Sequence, residues 1–225
     1  MSRHVRVHSA GEQACYAWLA VIAIVDYNAG NLRSVKRACD AVGLDALFTQ
    51  DADAVAQADK IIFPGVGHAR SCMDTLTRTG LGQAIQHAFA KGTPILGICV
   101  GAQLLLDGSE EGETRGLGLI PGMARRFRFD DPSLKVPHIG WNEVRPSRRH
   151  FLLDAVQAGD EFYFVHSYYL AAKDEASVFA VSDYGGAFCC AIGRGNLFAT
   201  QFHPEKSGRL GLRLLQRFAG WDGSC

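Results

Sequence analysis

The chain has 225 residues, 48% of them hydrophobic and 20% charged, the balance of a globular protein able to bury a large core. Its 23 basic and 23 acidic residues cancel, which argues against a nucleic-acid partner and against attraction to an anionic membrane surface. Seven cysteines are an odd, scattered set with no CxxC pair, so the pattern favours a reducing, cytoplasmic setting over a disulfide framework.

Residues 1–18 carry no legible motif and read as an N-terminal extension; residues 19–225 read as one domain. AWLAVIAIV (17–25) has the size of a signal-peptide apolar region. It runs straight into DYNAGN and a helical pattern, as a first core strand does. Next, NLRSVKRACDAVG (31–43) predicts a helix closed by Gly43. ALFTQ (46–50) predicts a strand, 53–58 a short helix and KIIFPG (60–65) a second strand. One longer helix is expected to end near FAKG (89–92), before the continuous apolar strand TPILGI (93–98). Apolar strands alternating with amphipathic helices indicate a mostly parallel sheet covered on both faces. The second half changes character. MARRFRF, PHIGWNEV, EFYFVHSYY, SVFAVSD, FCCAIGRG and LFATQF are strand-like segments of an added, partly antiparallel sheet, followed by a last helix over 207–221.

In open α/β sheets the reactive groups lie at the carboxyl ends of strands. Gly97-Ile98-Cys99-Val100-Gly101 stands at such an end and has the form of a strand–nucleophile–helix elbow with sulfur in place of oxygen. The following helix would favour a thiolate at its start. The pentapeptide alone also fits a buried cysteine packed at a strand end. A thiolate nucleophile needs a base, and the base an orienting group. QFHPEKS (201–207) has both: Pro204 keeps His203 out of the helical region, and Glu205, two residues on, can share its side of an extended chain. By itself His-Pro-Glu also fits a solvated surface turn.

Other candidates are weaker. His4 and His8 lie in the extension and His87 on a helix. His68 with Cys72 is only half a metal site, so no metal is expected. His166 is a pocket or core histidine within an aromatic strand, and the adjacent Cys189 and Cys190 face opposite sides of another. GLGLIPG (116–122) lacks the helix and the spacing of a dinucleotide fingerprint, and PGVG (64–67) lacks a phosphate-loop lysine. Any use of PGVG would be as backbone donors to an oxyanion.

The elbow, PGVG and QFHPEKS together resemble the class I, triad-type glutamine amidotransferases. Within that class, DYNAGN, PGVGHA, GICVGAQLL, GLGLIPG, PHIGWNEV, YFVHSYY and QFHPEKS, in this order from about residue 21, look most like the glutaminase subunits of imidazole glycerol phosphate synthases of histidine biosynthesis. The class II enzymes, which need an N-terminal cysteine, do not fit. Another triad amidotransferase or a γ-glutamyl hydrolase is the alternative. The departures are Val100 after the cysteine and the extension itself.

The resemblance implies a flavodoxin-like α/β fold with added antiparallel strands, and 19–225 as a single amidotransferase domain. It implies Cys99 as nucleophile, His203 as acid and base, and Glu205 as its orienting carboxylate. Val66, Gly67 and Val100 would form the oxyanion hole, with a peptide flip that glycines at 65 and 67 make easy. Gly65, Gln103, His166, Ser167 and Tyr168 would hold the glutamine substrate. No cofactor is implied. The implied partner is a (β/α)8-barrel cyclase forming a heterodimer and receiving ammonia directly. Asn28, Asn31, Pro137, His138, Trp141 and Asn142 are the interface candidates, although Trp141 equally suits a core position.

Overall fold

A computed structural model describes residues 21–28 and 30–224; the extension read over 1–18 lies outside the described residues. The first half builds a parallel sheet. Strand β1 (Ile22–Val25) is followed by α1 (Leu32–Ala41), β2 (Ala46–Thr49), α2 (Ala52–Gln57) and β3 (Lys60–Gly65). Then come α3 (Ala69–Thr79), α4 (Leu81–Lys91), β4 (Ile95–Cys99) and the short α5 (Val100–Leu104). Every residue of β1, β3 and β4 is buried, which is why these strands read as unbroken apolar runs rather than alternating ones. The chain steps from β1 outward to β2 and then back past β1 to β3. Right-handed crossovers therefore put α1 and α2 on opposite faces.

The second half extends the sheet with β5 (Leu106–Ser109), β6 (Thr114–Arg115), β7 (Ile120–Arg126), β11 (Tyr168–Ala172), β12 (Val178–Asp183), β13 (Ala187–Arg194) and β14 (Leu197–Thr200). The main path runs β2-β1-β3-β4-β14-β13-β11-β7-β5-β6. Two pieces lie apart from that path: β8 (His138–Glu143) pairs antiparallel with β10 (Glu161–His166) as a separate ribbon, and β9 (Arg145–Pro146) pairs with β12. Helix α6 (Gly208–Gly220) packs its Leu214, Leu215 and Phe218 inward and touches α1. No helix among the described residues is long and apolar enough to cross a membrane.

The structure differs from the sequence expectation in three places. The single helix expected before residue 92 is two, because Gly80 adopts φ 74° and serves as the end of α3 and the start of α4; a left-handed residue stops the i to i−4 ladder that glycine alone would merely weaken. The aromatic run EFYFVHSYY is two strands in two sheets, parting at Ser167. Most consequential, β14 is not part of an antiparallel appendage on one side only. It lies parallel to β4, with Thr200 level with Ile98, and antiparallel to β13, so it joins the two halves of the sheet.

Candidate active site

Cys99 ends β4 and precedes α5 with φ 54° and ψ −113°. A residue with a Cβ rarely adopts this conformation, and holding it there costs about 1–3 kcal/mol. The surroundings leave it little choice. A Cβ on Gly101 would lie 2.0 Å from the carbonyl oxygen of Phe63 on β3, and one on Gly97 would lie 2.6 Å from Leu105 and 2.9 Å from Ala199. The two flanking glycines thus let α5 lie directly on β3 and let β14 close against β4, and the turn between them is forced to be tight.

Strand pairing sets the rest of the site around that turn. Gly65 on β3 is level with Cys99, which brings the PGVG segment alongside the sulfur; Gly65 is buried, Val66 partly so, and Gly67 is exposed with φ 111°. Tyr27, just past β1, is buried and donates its hydroxyl to the carbonyl of Pro64 at 2.8 Å. That hydroxyl lies 2.3 Å from where a Gly65 Cβ would be, so residue 65 must be glycine for the tyrosine to pin the loop.

On the other flank, the chain leaving β14 passes the end of β4 and delivers His203. Its backbone is fastened to β10: the His203 N–H donates to the Tyr163 carbonyl at 2.9 Å, and Ser207 Oγ donates to the His203 carbonyl at 2.6 Å while accepting from the Tyr163 N–H at 3.0 Å. His203 itself is extended (φ −101°, ψ 96°), but Pro204–Lys206 form a 3-10 turn. Glu205 therefore reaches the imidazole from a turn, not along an extended chain. Its Oε1 accepts from His203 Nδ1 at 2.7 Å and from Asn31 Nδ2 at 2.6 Å. Both side chains of the pair are at most 1% exposed.

The proton on Nδ1 leaves Nε2 as the ring atom available to the site, and Nε2 is buried without a hydrogen bond of ordinary geometry. Burial alone would drive the charge off His203. The adjacent Cys99 sulfur, followed by the Glu205 carboxylate, outweighs it and lifts the imidazole to about 10. The arrangement thus favours imidazolium beside the sulfur, and a protonated Nε2 can deliver its proton to a group leaving from the sulfur's substrate.

The remaining candidates fall into three groups. Val100 begins α5 directly after the cysteine. Gln103, on the same short helix, is 3% exposed and its Nε2 donates to the carbonyl of Tyr168 at 3.0 Å and to Gln201 Oε1 at 3.2 Å. His166 is 5% exposed and both ring nitrogens are engaged: Nδ1 donates to the same Tyr168 carbonyl at 2.8 Å, which leaves Nε2 to accept from His138 Nδ1 at 3.0 Å. Ser167 and Tyr168 are half-buried at the junction of β10 and β11.

Of the interface candidates, Asn28, Pro137 and Trp141 are exposed, and Trp141 shares one face of β8 with the exposed Ile139. Asn142 is half-buried, donating to the Asp183 carbonyl at 2.8 Å. Asn31 is turned to Glu205 and His138 is buried behind β8. His68, considered as a metal ligand, instead caps α3 by accepting from the Arg70 N–H.

Three participants escaped the sequence reading. Tyr27 lies within DYNAGN, but nothing in a tyrosine after a strand says that it will pin a loop 37 residues on. Asn31 was read as facing outward. Gln201 donates to the Cys99 sulfur at 3.7 Å, and its signal was visible: a polar side chain ending an otherwise apolar strand, two residues before His203 and so on the same side of an extended chain.

The sequence model of the family described as "Glutamine amidotransferase class-I" matches residues 23–219. The "Imidazole glycerol phosphate synthase subunit HisH" of Chromobacterium violaceum is 49% identical over 210 residues, covering 90% of this chain and 99% of the relative. The protein of the same description from Neisseria gonorrhoeae is 48% identical over 210 residues, covering 88% and 99%. Among solved structures, PurLQS from Thermotoga maritima has a TM-score of 0.70 at 21% identity, covering 90% of this chain and 99% of that one. A putative GMP synthase subunit from Thermoplasma acidophilum has 0.68 at 20%, covering 91% and 94%; at such identities these two speak for the fold. Matched over about nine-tenths of its length at close to half identity, the chain belongs to the class I glutamine amidotransferases and, among them, to the imidazole glycerol phosphate synthase HisH subunits.

Proposed function

We propose that this chain is the glutamine-hydrolysing subunit of an imidazole glycerol phosphate synthase, with Cys99 as nucleophile, and that it works in the cytoplasm. The observation that carries the reading is the buried line of Cys99, His203 and Glu205, with His203 held protonated between a sulfur and a carboxylate. The Cys99 sulfur attacks the side-chain amide carbon of glutamine, and the oxyanion is met by the N–H of Val100 and by donors from Val66 and Gly67. His203 Nε2 protonates the departing nitrogen, so ammonia leaves and a γ-glutamyl thioester remains. The same nitrogen then takes a proton from water, which attacks the thioester; glutamate leaves and the sulfur recovers its electron pair. Gly65, Gln103, His166, Ser167 and Tyr168 line the substrate side. Because both ring nitrogens of His166 are engaged, its part is to shape that wall.

Ammonia set free in neutral water is protonated and loses its nucleophilicity, so a partner must take it directly. A (β/α)8-barrel cyclase is the proposed partner, forming a heterodimer and converting a phosphoribulosyl-aminoimidazole-carboxamide nucleotide to imidazole glycerol phosphate and aminoimidazole carboxamide ribotide. The exposed apolar pair Ile139 and Trp141, at 60% and 53%, with Asn28 and Pro137 beside the site's end of the sheet, is the docking surface that supports this assignment.

The test is Cys99→Ala in the assembled complex. Glutamine-dependent product formation should be lost while turnover with added ammonium salt persists. Loss of both activities, or glutamine turnover that survives the substitution, overturns the reading.

A further inference from the structure

We infer that Gln201 is a positioning residue for the nucleophile: its side-chain N–H holds the ionised Cys99 sulfur, and Gln103 fixes the orientation in which Gln201 presents it. The inference rests on the reading of Cys99 as the nucleophile.

The orientation follows from one backbone carbonyl. An amide oxygen and an amide nitrogen differ little in shape, so a buried glutamine is oriented by its partners. Tyr168 offers Gln103 only a carbonyl oxygen, which accepts and cannot donate, so Gln103 must turn its NH2 group toward it. The second hydrogen of that group points to Gln201 at 3.2 Å, which obliges Gln201 to answer with Oε1. Its own NH2 is then the end that meets Cys99 Sγ, at 3.7 Å. Turning either amide over would set two NH2 groups, or two oxygens, against each other in a site where Gln201 is 0% and Gln103 3% exposed. The relay therefore has one polarity, and it ends on sulfur with a donor.

A donor on sulfur favours the thiolate. The Val165 carbonyl, at 3.9 Å from the sulfur, accepts from a thiol and repels a thiolate. The titratable groups that face Cys99 are His203 from the turn after β14, with Glu205 behind it, and Tyr27 from the loop after β1; His166 on β10 interacts electrostatically with His203. His203 is charged only until it gives up its proton. Gln201 is neutral and keeps its N–H throughout, so it still meets the sulfur when His203 has been spent and when the thioester's sulfur is released. No step of bond making passes through Gln201; it acts on where the sulfur sits and how readily it ionises.

The experiment is the pH dependence of Cys99 alkylation by iodoacetamide in the full chain, followed on the peptide that carries Cys99, for the wild type, Gln201→Met and Gln103→Met. Methionine keeps the volume and removes the N–H donors. In Gln201→Met the midpoint of the profile should move up by about one pH unit, the shift expected from losing one hydrogen bond to a charged group. At a fixed pH below both midpoints, alkylation should slow about tenfold. Gln103→Met keeps the donor but frees its orientation, so its profile should move in the same direction by less, and it carries the test if Gln201→Met does not fold. A midpoint that stays within about 0.2 units of wild type in a folded variant overturns the relay. Glutamine turnover that survives Cys99→Ala would instead overturn the underlying reading.

Discussion

The backbone at Cys99 makes a prediction about stability in which strain offsets an ordinary rule. At an unstrained position, replacing alanine by glycine costs about 0.5–1 kcal/mol in chain entropy, with about 0.8 kcal/mol more for the lost methyl when it is buried. Glycine at 99 should then be less stable than alanine by about 1.3–1.8 kcal/mol. With φ 54° and ψ −113°, however, alanine keeps a strain of about 1–3 kcal/mol that glycine escapes. The two terms oppose each other, so Cys99→Gly is expected between about 0.8 kcal/mol less stable and about 1.7 kcal/mol more stable than Cys99→Ala. Urea unfolding of the two variants measures the difference directly, and thermal unfolding should translate it into about 2–4 °C per kcal/mol at this chain length. Neither variant carries the sulfur, so loss of the ion pair with His203 affects both and drops out. A glycine variant less stable by the full 1.3–1.8 kcal/mol or so expected without strain would show that the elbow stores none.

Gly101→Ala should displace α5, because the new methyl meets the Phe63 carbonyl at 2.0 Å and backbone on that strand has no rotamer to change. We expect a loss of several degrees in Tm, from about 1–3 kcal/mol of overpacking, and about a hundredfold slower glutamine turnover from a nucleophile shifted by about 1 Å; unchanged Tm and rate would refute the close contact. Burial pushes His138 and His150 down to about 4 and His166 down to about 3. Their folded values lie below that of an unfolded histidine, so they cost nothing above pH 6.5, and stability falls from there toward pH 4 as the unfolded chain takes up protons first. Chemical denaturation should show these three groups removing about 5 kcal/mol between pH 7 and pH 5, a little under 2 kcal/mol each, and equal stability at the two pH values would contradict the burial of these rings as neutral groups.

The elements most legible in the sequence were those whose burial is total. KIIFPG and TPILGI read as strands because both faces are covered and, after a leading Lys60 and Thr93, the run is unbroken and apolar. Cys99 was legible because its two glycines are demanded by backbone contacts, and His203 because proline follows it. What was hidden depended on distant pairing. EFYFVHSYY breaks at Ser167 because β10 finds β8, 18 to 28 residues upstream, while β11 finds β7, 42 to 50 residues upstream, and β13, 19 residues downstream. Gly80 falls inside the stretch expected to be one helix, and its left-handed backbone makes it the boundary between two. The relation of Glu205 to His203 was expected from strand alternation and arises instead from a turn that folds the carboxylate back. Gln201 could be placed on the side of His203 by its spacing, but which end of its amide meets the sulfur is decided by the Tyr168 carbonyl acting through Gln103, and nothing in the sequence signals that.

The position of β14 has a consequence for how the protein comes into being. It is the last strand in the chain, yet it fills the middle of the sheet, between β4 and β13. Until residues 197–200 have been synthesised, β4 has an open edge, and long-range pairing of this kind comes late in folding. A growing chain thus displays Cys99 for half the length of its synthesis with neither His203 to charge it nor Gln201 to hold it. Insertion of one short strand closes that edge and brings both groups to the sulfur together, so the reactive thiolate and the finished sheet arrive in the same event.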